Sequence, residues 1–175
     1  MFRKPTRGEI TLLKRTYSKL GCFDYFVQWN KCILIKDGSS TKIREVYLIS
    51  ESAGELAISV KPAHAGILIG RLGNRLNLTL EGAGIVYRAG CKVPFVTVNE
   101  NGERLVLYGR DVFGQSIIDA SIDIRANQNL VILNNKLEVI AIGRARYPNP
   151  LIFKQDSITV MNLLDVGYYL RHQDY

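Results

Sequence analysis

Arg144 and Arg146 lie two positions apart in this chain, and Tyr147 follows them directly. Alternate residues of a β-strand point to the same face, so a strand at this position places both guanidinium groups side by side. A guanidinium donates two parallel hydrogen bonds to a phosphate, and an aromatic ring can stack on an unpaired base for about 1 to 3 kcal/mol. The spacing therefore predicts a surface for phosphates and bases, with an ordinary solvated rim as the alternative.

Further cations define two candidate surfaces. The first surface gains three side chains if the C-terminal strands close into a small barrel: Lys154, Arg171 and His172. The second surface is the polar face of a helix predicted near the start of the chain, with the cations Lys14, Arg15 and Lys19. Any surface helix carries charges opposite its apolar stripe, so we predict the first group as the binding residues and the second as a secondary contact.

No cysteine or histidine pattern predicts a metal site. The three cysteines, Cys22, Cys32 and Cys91, are widely spaced and include no Cys-x-x-Cys pair, which argues against a disulfide framework and against zinc. They are expected to be small buried apolar side chains. The two histidines are too few and too isolated to build a metal centre.

Glycine-rich and acidic positions carry no catalytic or cofactor motif. Residues 66–73 lack the Gly-Lys-Ser/Thr ending of a phosphate-binding loop, and residues 82–84 lack the third glycine and preceding strand of a dinucleotide fingerprint. Four aspartates fit turns or helix caps better than an acid–base pair: Asp111, Asp119, Asp123 and Asp165. The chain is therefore predicted to use no cofactor and not to be an enzyme.

The composition is that of a folded protein with a basic first half. The chain has 175 residues, of which 47% are hydrophobic and 22% charged, and its net charge is +7. Residues 1–94 carry 15 Lys and Arg against 7 Asp and Glu, whereas residues 95–175 carry 8 against 9. Such basicity suggests a polyanionic partner.

No apolar run approaches the ~20 residues that span a bilayer, and residues 1–5 lack the apolar core of a secretory signal. We expect a cytoplasmic protein without membrane contact, or a nuclear one if the source is eukaryotic.

The first half predicts antiparallel strands with flanking helices. Thr6 and Glu9 fit a capping box before an apolar stripe at helical spacing, and Gly21 is a stop signal for that helix. Aromatic and β-branched residues and intervening turn signals predict strands over residues 23–29, 31–36, 43–49, 66–72 and 75–80. Two further helices are predicted over residues 51–60 and 81–88. The aromatic side chains of residues 23–29 are expected to pack in the core.

A second domain is predicted to begin after Lys92, giving domains 1–92 and 93–175. Its strands are predicted over residues 95–99, 104–108, 130–133, 139–145 and 158–161, with the first two forming a hairpin around Asn101-Gly102. Residues 112–118 are predicted to be helical, and Asp165 to cap a short closing helix. Short strands with frequent turns favour a small barrel.

Four segments of the last third occur in an order that resembles a PUA domain, a small β-barrel module of many RNA-modifying and ribosome-assembly proteins. They are residues 107–113 (LYGRDVF), a strand pair around Asn134-Asn135, residues 142–144 (IGR) and residues 165–171 (DVGYYLR). The whole chain resembles the Nip-seven family of ribosome-assembly factors, because residues 66–70 (GILIG) match a glycine-spaced strand of that family's N-terminal domain. The resemblance implies an α+β fold, with an N-terminal antiparallel sheet and flanking helices followed by a small PUA-like β-barrel.

The resemblance also implies a ligand and partners. The ligand is single-stranded, U-rich or precursor ribosomal RNA, and the role is a non-catalytic RNA-binding adaptor in maturation of the large ribosomal subunit. Archaeal members are linked to the RNA exosome and eukaryotic members to other assembly factors, which implies a nucleolar location in a eukaryote. The chain departs from some members in having no Lys or Arg in residues 157–164.

Two alternatives to the adaptor stay open. PUA domains accompany pseudouridine synthases and RNA methyltransferases, so residues 1–92 can be the catalytic domain of an RNA-modifying enzyme. A methyltransferase needs a glycine-rich cofactor loop on a parallel sheet, whereas this half predicts antiparallel hairpins. The other alternative is a protein-interaction module whose basic charge is incidental, which agrees with the near-neutral second half.

Overall fold

The computed structural model describes residues 1–29, 33–38 and 43–171. Contacts divide the chain into two compact units, Met1–Lys92 and Val93–Tyr175. None of the helices in these ranges is long and apolar enough to cross a membrane.

The first unit is an antiparallel sheet with helices around it. Its strands lie side by side in chain order, and each neighbouring pair is antiparallel. They are β1 (Phe2–Arg3), β2 (Ile33–Asp37), β3 (Arg44–Leu48), β4 (Ile67–Leu72) and β5 (Leu76–Leu78). The helices are α1 (Arg7–Lys19), α2 (Phe23–Trp29), α3 (Glu51–Val60) and α4 (Leu80–Arg88).

Helix α1 begins at the predicted capping box. The Thr6 hydroxyl accepts a hydrogen bond from the Glu9 amide, and the Glu9 carboxylate accepts one from the Thr6 amide at 2.7 Å. Glu9, Leu13 and Tyr17 are buried at a spacing of four residues, so one stripe of the helix faces the sheet. Gly21, with a φ of 67°, takes the left-handed conformation that ends the helix. The predicted first helix is confirmed.

The prediction of a strand over residues 23–29 is wrong, because this segment is helix α2. The Cys22 amide donates to the Tyr17 carbonyl at 2.8 Å, so the chain turns at Gly21 and starts a second helix at once. Asp24 in its first turn complements the helix dipole. Phe23 is 46% exposed and therefore does not pack in the core. The strand was predicted from the aromatic residue types, which do not by themselves distinguish a strand from a helix.

The expectation that the cysteines form no disulfide is also wrong. Cys22 and Cys91 form a disulfide with their Cα atoms 5.3 Å apart, although 69 residues separate them. Both are buried, as expected, at the point where the Lys92 amide donates to the Leu20 carbonyl at 2.8 Å. The tertiary fold brings together two thiols whose spacing in sequence gives no sign of pairing. Cys32 lies outside the described residues.

The second unit is a six-stranded, nearly closed barrel. The strands follow one another in the sheet in the order β7, β11, β10, β9, β6 and β8, and only the β6–β9 pair among these is parallel. They are β6 (Phe95–Val98), β7 (Val112–Phe113), β8 (Ile117–Ala120), β9 (Asn129–Leu133), β10 (Val139–Ala145) and β11 (Ile158–Asp165). Two helices accompany them, α5 (Glu100–Leu107) and α6 (Tyr168–Arg171). The predicted fold class, α+β with an antiparallel sheet and flanking helices followed by a small barrel, is confirmed.

Two local predictions in this unit are wrong. Of the predicted strand 104–108, residues 104–107 lie in helix α5 and Tyr108 is its C-cap. The side chain of the N-cap residue Asn99 accepts a hydrogen bond from the Gly102 amide at 2.9 Å. This position requires a glycine for packing and not for a turn, since a Cβ at Gly102 would lie 2.9 Å from the Cβ of Ser116. Residues 112–118 form β7, a short 3₁₀ turn and the start of β8 in place of the predicted helix.

Candidate nucleic-acid interface

Strand β10 positions Arg144 and Arg146 on the outward face of the barrel. Gly143 and Ala145 are buried, whereas Arg144 is half-buried and Arg146, just after the strand, is exposed. The backbone continues the alternation because the Arg146 amide donates to the Thr159 carbonyl at 2.8 Å, next to β11. The two guanidinium groups therefore share one side of the sheet.

Arg144 is oriented by a neighbour on β9. Its Nε donates to the Asn129 Oδ1 at 3.2 Å, and the two residues are direct partners in the β9–β10 register. This contact uses Nε and does not involve the two terminal nitrogens of the guanidinium group. Sequence reasoning missed Asn129, because only the strand register shows which residue lies beside Arg144.

Tyr147 and Lys154 come together across the connection between β10 and β11. The Lys154 Nζ lies 5.8 Å from the centroid of the Tyr147 ring, which is the geometry of a cation–π contact. Lys154 is exposed and Tyr147 is half-buried. Four of the predicted residues thus lie on β10 and the connection that follows it: Arg144, Arg146, Tyr147 and Lys154. We call this group the β10-end surface.

The charges of this surface are not neutralised by any salt bridge between described residues. Among the described residues, the salt bridges are made by other arginines, and none involves the cations of the β10-end surface. Strand β11, beside it, adds no Lys or Arg. The positive charge available to a ligand here therefore comes from three side chains of β10 and the following connection.

Arg171 does not join this group. Its guanidinium binds both carboxylate oxygens of Asp165, at 3.0 and 2.8 Å, and also donates to the Leu107 carbonyl at the end of α5. This pairing holds the pKa of Arg171 above its ordinary value. Asp165, predicted to cap the closing helix, instead ends β11 and receives this side chain. Asp165 is at the far end of β11 from Ile158, and the strand is about 23 Å long at ~3.3 Å per residue.

The residues around Arg171 leave little room for anything else. A Cβ at Gly167 would lie 2.1 Å from the Leu107 carbonyl oxygen, and one at Gly109 would lie 2.8 Å from the Arg171 guanidinium. Arg171 therefore has a structural role, because its hydrogen bond to the Leu107 carbonyl connects α6 to the end of α5. His172, the other residue predicted for this group, lies outside the described residues.

The secondary group on α1 is exposed as predicted. Its three cations lie on the polar side of the helix, away from the buried stripe: Lys14, Arg15 and Lys19. Two other arginines of the first unit are paired with carboxylates of the same unit. Arg3 donates to Glu9 at 2.8 and 2.9 Å and to Asp37 at 2.7 and 2.8 Å, and Arg44 donates to Glu9 at 2.9 Å.

Glu9 is the centre of this ion cluster. Its side chain is 2% exposed and receives hydrogen bonds from the Thr6 amide and hydroxyl as well as from both arginines. The Arg3 guanidinium lowers the pKa of Glu9 from 4.5 to about 2, against the opposing effect of burial. The sequence indicated the Thr6–Glu9 capping box but not the arginines, which are brought in by β1 and β3.

The described residues contain no cluster of three His, Cys, Asp or Glu side chains that could hold a metal ion. What the second unit presents instead is a group of three cations, one of which lies over the ring of Tyr147. That arrangement suits a ligand with phosphates and planar bases better than a metal or a small anion.

Known proteins resemble the chain in both sequence and fold. The model of the UPF0113 PUA domain matches residues 94–174. Over 106 residues the chain is 35% identical to the tRNA-guanine(15) transglycosylase of Methanothermobacter thermautotrophicus. This alignment covers 59% of the chain but 14% of that enzyme. Over 174 residues the chain is 34% identical to the UPF0113 protein of Archaeoglobus fulgidus, which covers 98% of this chain and 95% of that protein.

Solved structures share the architecture at low sequence identity. A conserved PUA domain protein from Thermoplasma acidophilum superposes with a TM-score of 0.67 at 14% identity, covering 95% of both chains. A protein of the hyperthermophilic archaeon Pyrococcus horikoshii gives a TM-score of 0.67 at 11% identity, covering 94% of both chains. The fold is therefore shared over nearly the whole length, and PUA domains are generally RNA-binding. Since the sequence similarity to the Archaeoglobus protein is equally extensive, the chain belongs to the UPF0113 family of PUA-domain proteins.

Proposed function

We propose that this protein is a non-catalytic RNA-binding adaptor that acts in ribosome biogenesis, in maturation of large-subunit ribosomal RNA. The observation that carries the proposal is the β10-end surface, where Lys154 lies over the ring of Tyr147 and Arg144 and Arg146 precede that ring in the chain. Among the described residues, no salt bridge pairs these cations with a carboxylate. Guanidinium groups bind phosphate oxygens, and a neighbouring ring can stack on a base.

Two further observations support RNA as the ligand class. The second unit is a PUA domain, and the transglycosylase that is 35% identical to this chain over 106 residues is named for its action on tRNA. The resemblance to the Nip-seven family supports the finer proposal of single-stranded, U-rich or precursor ribosomal RNA, with ribosome-assembly or exosome proteins as partners. It also supports a cytoplasmic location, or a nucleolar one in a eukaryote.

The binding surface is tested by a charge-matched pair of variants. Arg144→Ala with Arg146→Ala removes two cations from the β10-end surface, and Arg104→Ala with Arg110→Ala removes two exposed cations from α5 and the loop after it. Binding of a U-rich single strand is measured by fluorescence anisotropy over a series of salt concentrations. With about 3 to 5 phosphate contacts, the wild-type protein should show a slope of log affinity against log salt near −2 to −3.5.

The first variant should lower the affinity and reduce this slope by about 1 to 1.5, since each lost phosphate contact contributes ~0.7 for single strands. The second variant should change both much less. A larger loss in the second variant would place the RNA at the Arg171 end of the barrel. A flat salt response in the wild type would show that electrostatic attraction does not drive the binding.

The first unit is proposed to attract RNA from a distance. Residues 1–94 carry a net charge of +8, and exposed cations on α1 contribute to it. Neutralising these cations should lower the association rate more than it raises the dissociation rate, as stopped-flow binding can measure. The residues to change to Gln are Lys14, Arg15 and Lys19.

The alternative, an RNA-modifying enzyme, is favoured by the similarity to a transglycosylase. It predicts a chemical change that the adaptor does not. Mass spectrometry of RNA incubated with the protein, with and without a methyl donor, should detect no new modification if the adaptor proposal is right.

A further inference from the structure

The connection between β10 and β11, residues 146–157, is held firmly against the barrel. The Asn149 amide donates to the Ile124 carbonyl at 3.3 Å, and its side-chain amide donates to the Ser121 carbonyl at 3.0 Å. Ile152, in the 3₁₀ turn Leu151–Phe153, is fully buried and anchors the middle of the connection. These contacts fix the backbone, so side chains on it are presented to solvent with little loss of conformational entropy on binding.

A second segment packs directly against this connection. A Cβ at Gly114 would lie 2.2 Å from the Lys154 carbonyl oxygen and 2.7 Å from the Phe153 carbonyl carbon. Gly114 directly follows Phe113, the last residue of β7, which pairs with Ile158 at the start of β11. The close approach therefore places the segments that carry the two phenylalanines next to each other.

Both phenylalanines are exposed. Phe113 and Phe153 each leave 36% of their surface accessible, although Ile152 and Val112 beside them are buried. Exposed aromatic side chains on a fixed backbone offer flat apolar faces to a ligand. The adjacent residue supplies positive charge, because Lys154 follows Phe153 directly and its Nζ lies over the Tyr147 ring.

We infer that Phe113 and Phe153 form a stacking platform for unpaired bases, with the cations of the β10-end surface holding the adjoining phosphates. The inference rests on the proposed RNA binding and extends it, because it specifies a ligand whose bases are free to stack. Every base has a π-face, so such a platform is tolerant of sequence, whereas a duplex hides those faces within its own stack. Single-stranded segments are therefore the substrate class.

The test separates the contribution of bases from that of phosphates. One ligand is a short oligouridine, and the other has the same length and charge but carries abasic tetrahydrofuran spacers in place of the nucleosides. Affinities of the full chain are measured for both ligands, in the wild type and in Phe113→Leu, Phe153→Leu and Phe153→Trp. Leucine keeps apolar volume but offers no ring, and tryptophan restores one.

The wild type should bind the oligouridine about 5- to 150-fold more tightly than the abasic ligand if one base stacks, and more tightly still if two do, since each stacked base contributes ~1 to 3 kcal/mol. Each leucine variant should reduce this preference and leave binding of the abasic ligand unchanged, and Phe153→Trp should retain it. Leu137→Ala, which changes an exposed apolar residue in the turn before β10, is the control and should behave as wild type. Circular dichroism and thermal melting establish that each variant is folded.

An equal affinity of the wild type for both ligands would overturn the stacking platform while leaving RNA binding in place. Leucine variants that kept the full preference for bases would overturn it as well. If the wild type bound neither ligand, the proposed RNA binding itself would fail. The surface would then be assigned to a protein partner.

Discussion

Protonation of Glu9 should destabilise the first unit at acid pH, and Glu9→Gln should remove that part of the pH dependence. Arg3 lowers the pKa of the Glu9 carboxyl from 4.5 to about 2 in the folded protein. Between these values the unfolded chain binds the proton more readily than the folded chain. The stabilisation from Glu9 is therefore complete above pH 4.5 and is lost as the pH falls through about 2.

The size of the effect follows from the difference between the two pKa values. One pKa unit corresponds to about 1.4 kcal/mol, so a change from 4.5 to about 2 is worth at most about 3 kcal/mol. The arginine partners are about one-third exposed, and solvent screening reduces the strength of their pairing. We expect Glu9→Gln to lower the free energy of unfolding at neutral pH by about 2 to 3 kcal/mol.

Urea unfolding of the full chain at a series of pH values measures this directly. The chain has a single tryptophan, Trp29 in α2, so its fluorescence reports on the first unit. The stability difference between wild type and Glu9→Gln should shrink as the pH falls from 4.5 towards 2. Glu55→Gln removes an exposed carboxylate from α3 and should leave the wild-type pH dependence unchanged. Parallel loss of stability in wild type and Glu9→Gln across this range would refute the role assigned to Glu9.

Three further predictions concern stability. Arg171→Ala should lower the melting temperature of the second unit, because the buried Asp165 carboxylate at the end of β11 loses its cationic partner. Differential scanning calorimetry checks this, and an unchanged melting profile would contradict it. Gly82→Ala should cost about 2 kcal/mol or more, because its Cβ would lie 1.9 Å from a carbonyl oxygen of β4. Gly8→Ala should instead stabilise α1 by about 0.5 to 1 kcal/mol, because the space around the new methyl group is open. Urea unfolding measures both substitutions, and equal changes in the free energy of unfolding would refute the expected difference between them. Burial raises the pKa values of Tyr17 and Tyr47 from 10.0 to about 12, so stability should be intact below pH 10 and fall as the pH rises through about 12; ultraviolet titration should show both phenols ionising late.

Local signals in the sequence gave reliable expectations where the chemistry is also local. The capping box of Thr6 and Glu9 depends on residues three apart, and the hairpin of β4 and β5 depends on the turn between them. Arg144 and Arg146 share the outward face because the period of a strand is two. In each case the interacting groups are neighbours in the chain, so their types and spacing are sufficient.

Predictions were wrong where a residue type is compatible with two different local structures. Gly102 after Asn101 fits a hairpin turn, but in the structure it allows α5 to approach Ser116, and Asn99 caps the helix. The aromatic residues of α2 fit a strand by propensity, which is a weak guide for a short segment. Only tertiary contacts distinguish these uses.

The site itself could be predicted only in part for the same reason. The cations of β10 follow from strand spacing, but the partner of Arg171 is decided by how α6 returns to the end of α5. A carboxylate at Asp165, six residues before Arg171, gives no helical or strand spacing that would indicate the pair. Likewise, Gly114 approaches the connection after β10 because β7 pairs with β11, and this pairing joins Phe113 to Ile158, 45 residues later in the chain.

The distribution of charge gives the two units different tasks in the proposed binding. The second unit has a near-neutral sequence, with 8 basic residues against 9 acidic ones from residue 95 onward, and one of those cations is already held by Asp165. Three cations on the β10-end surface can hold a few phosphates but create little long-range attraction. The first unit, at +8 over residues 1–94, supplies that attraction without needing a shaped site. Local contact should therefore govern how long RNA stays bound, and the first unit how quickly it arrives, which is why the variants of β10 and of α1 are expected to differ in kinetics and not only in affinity.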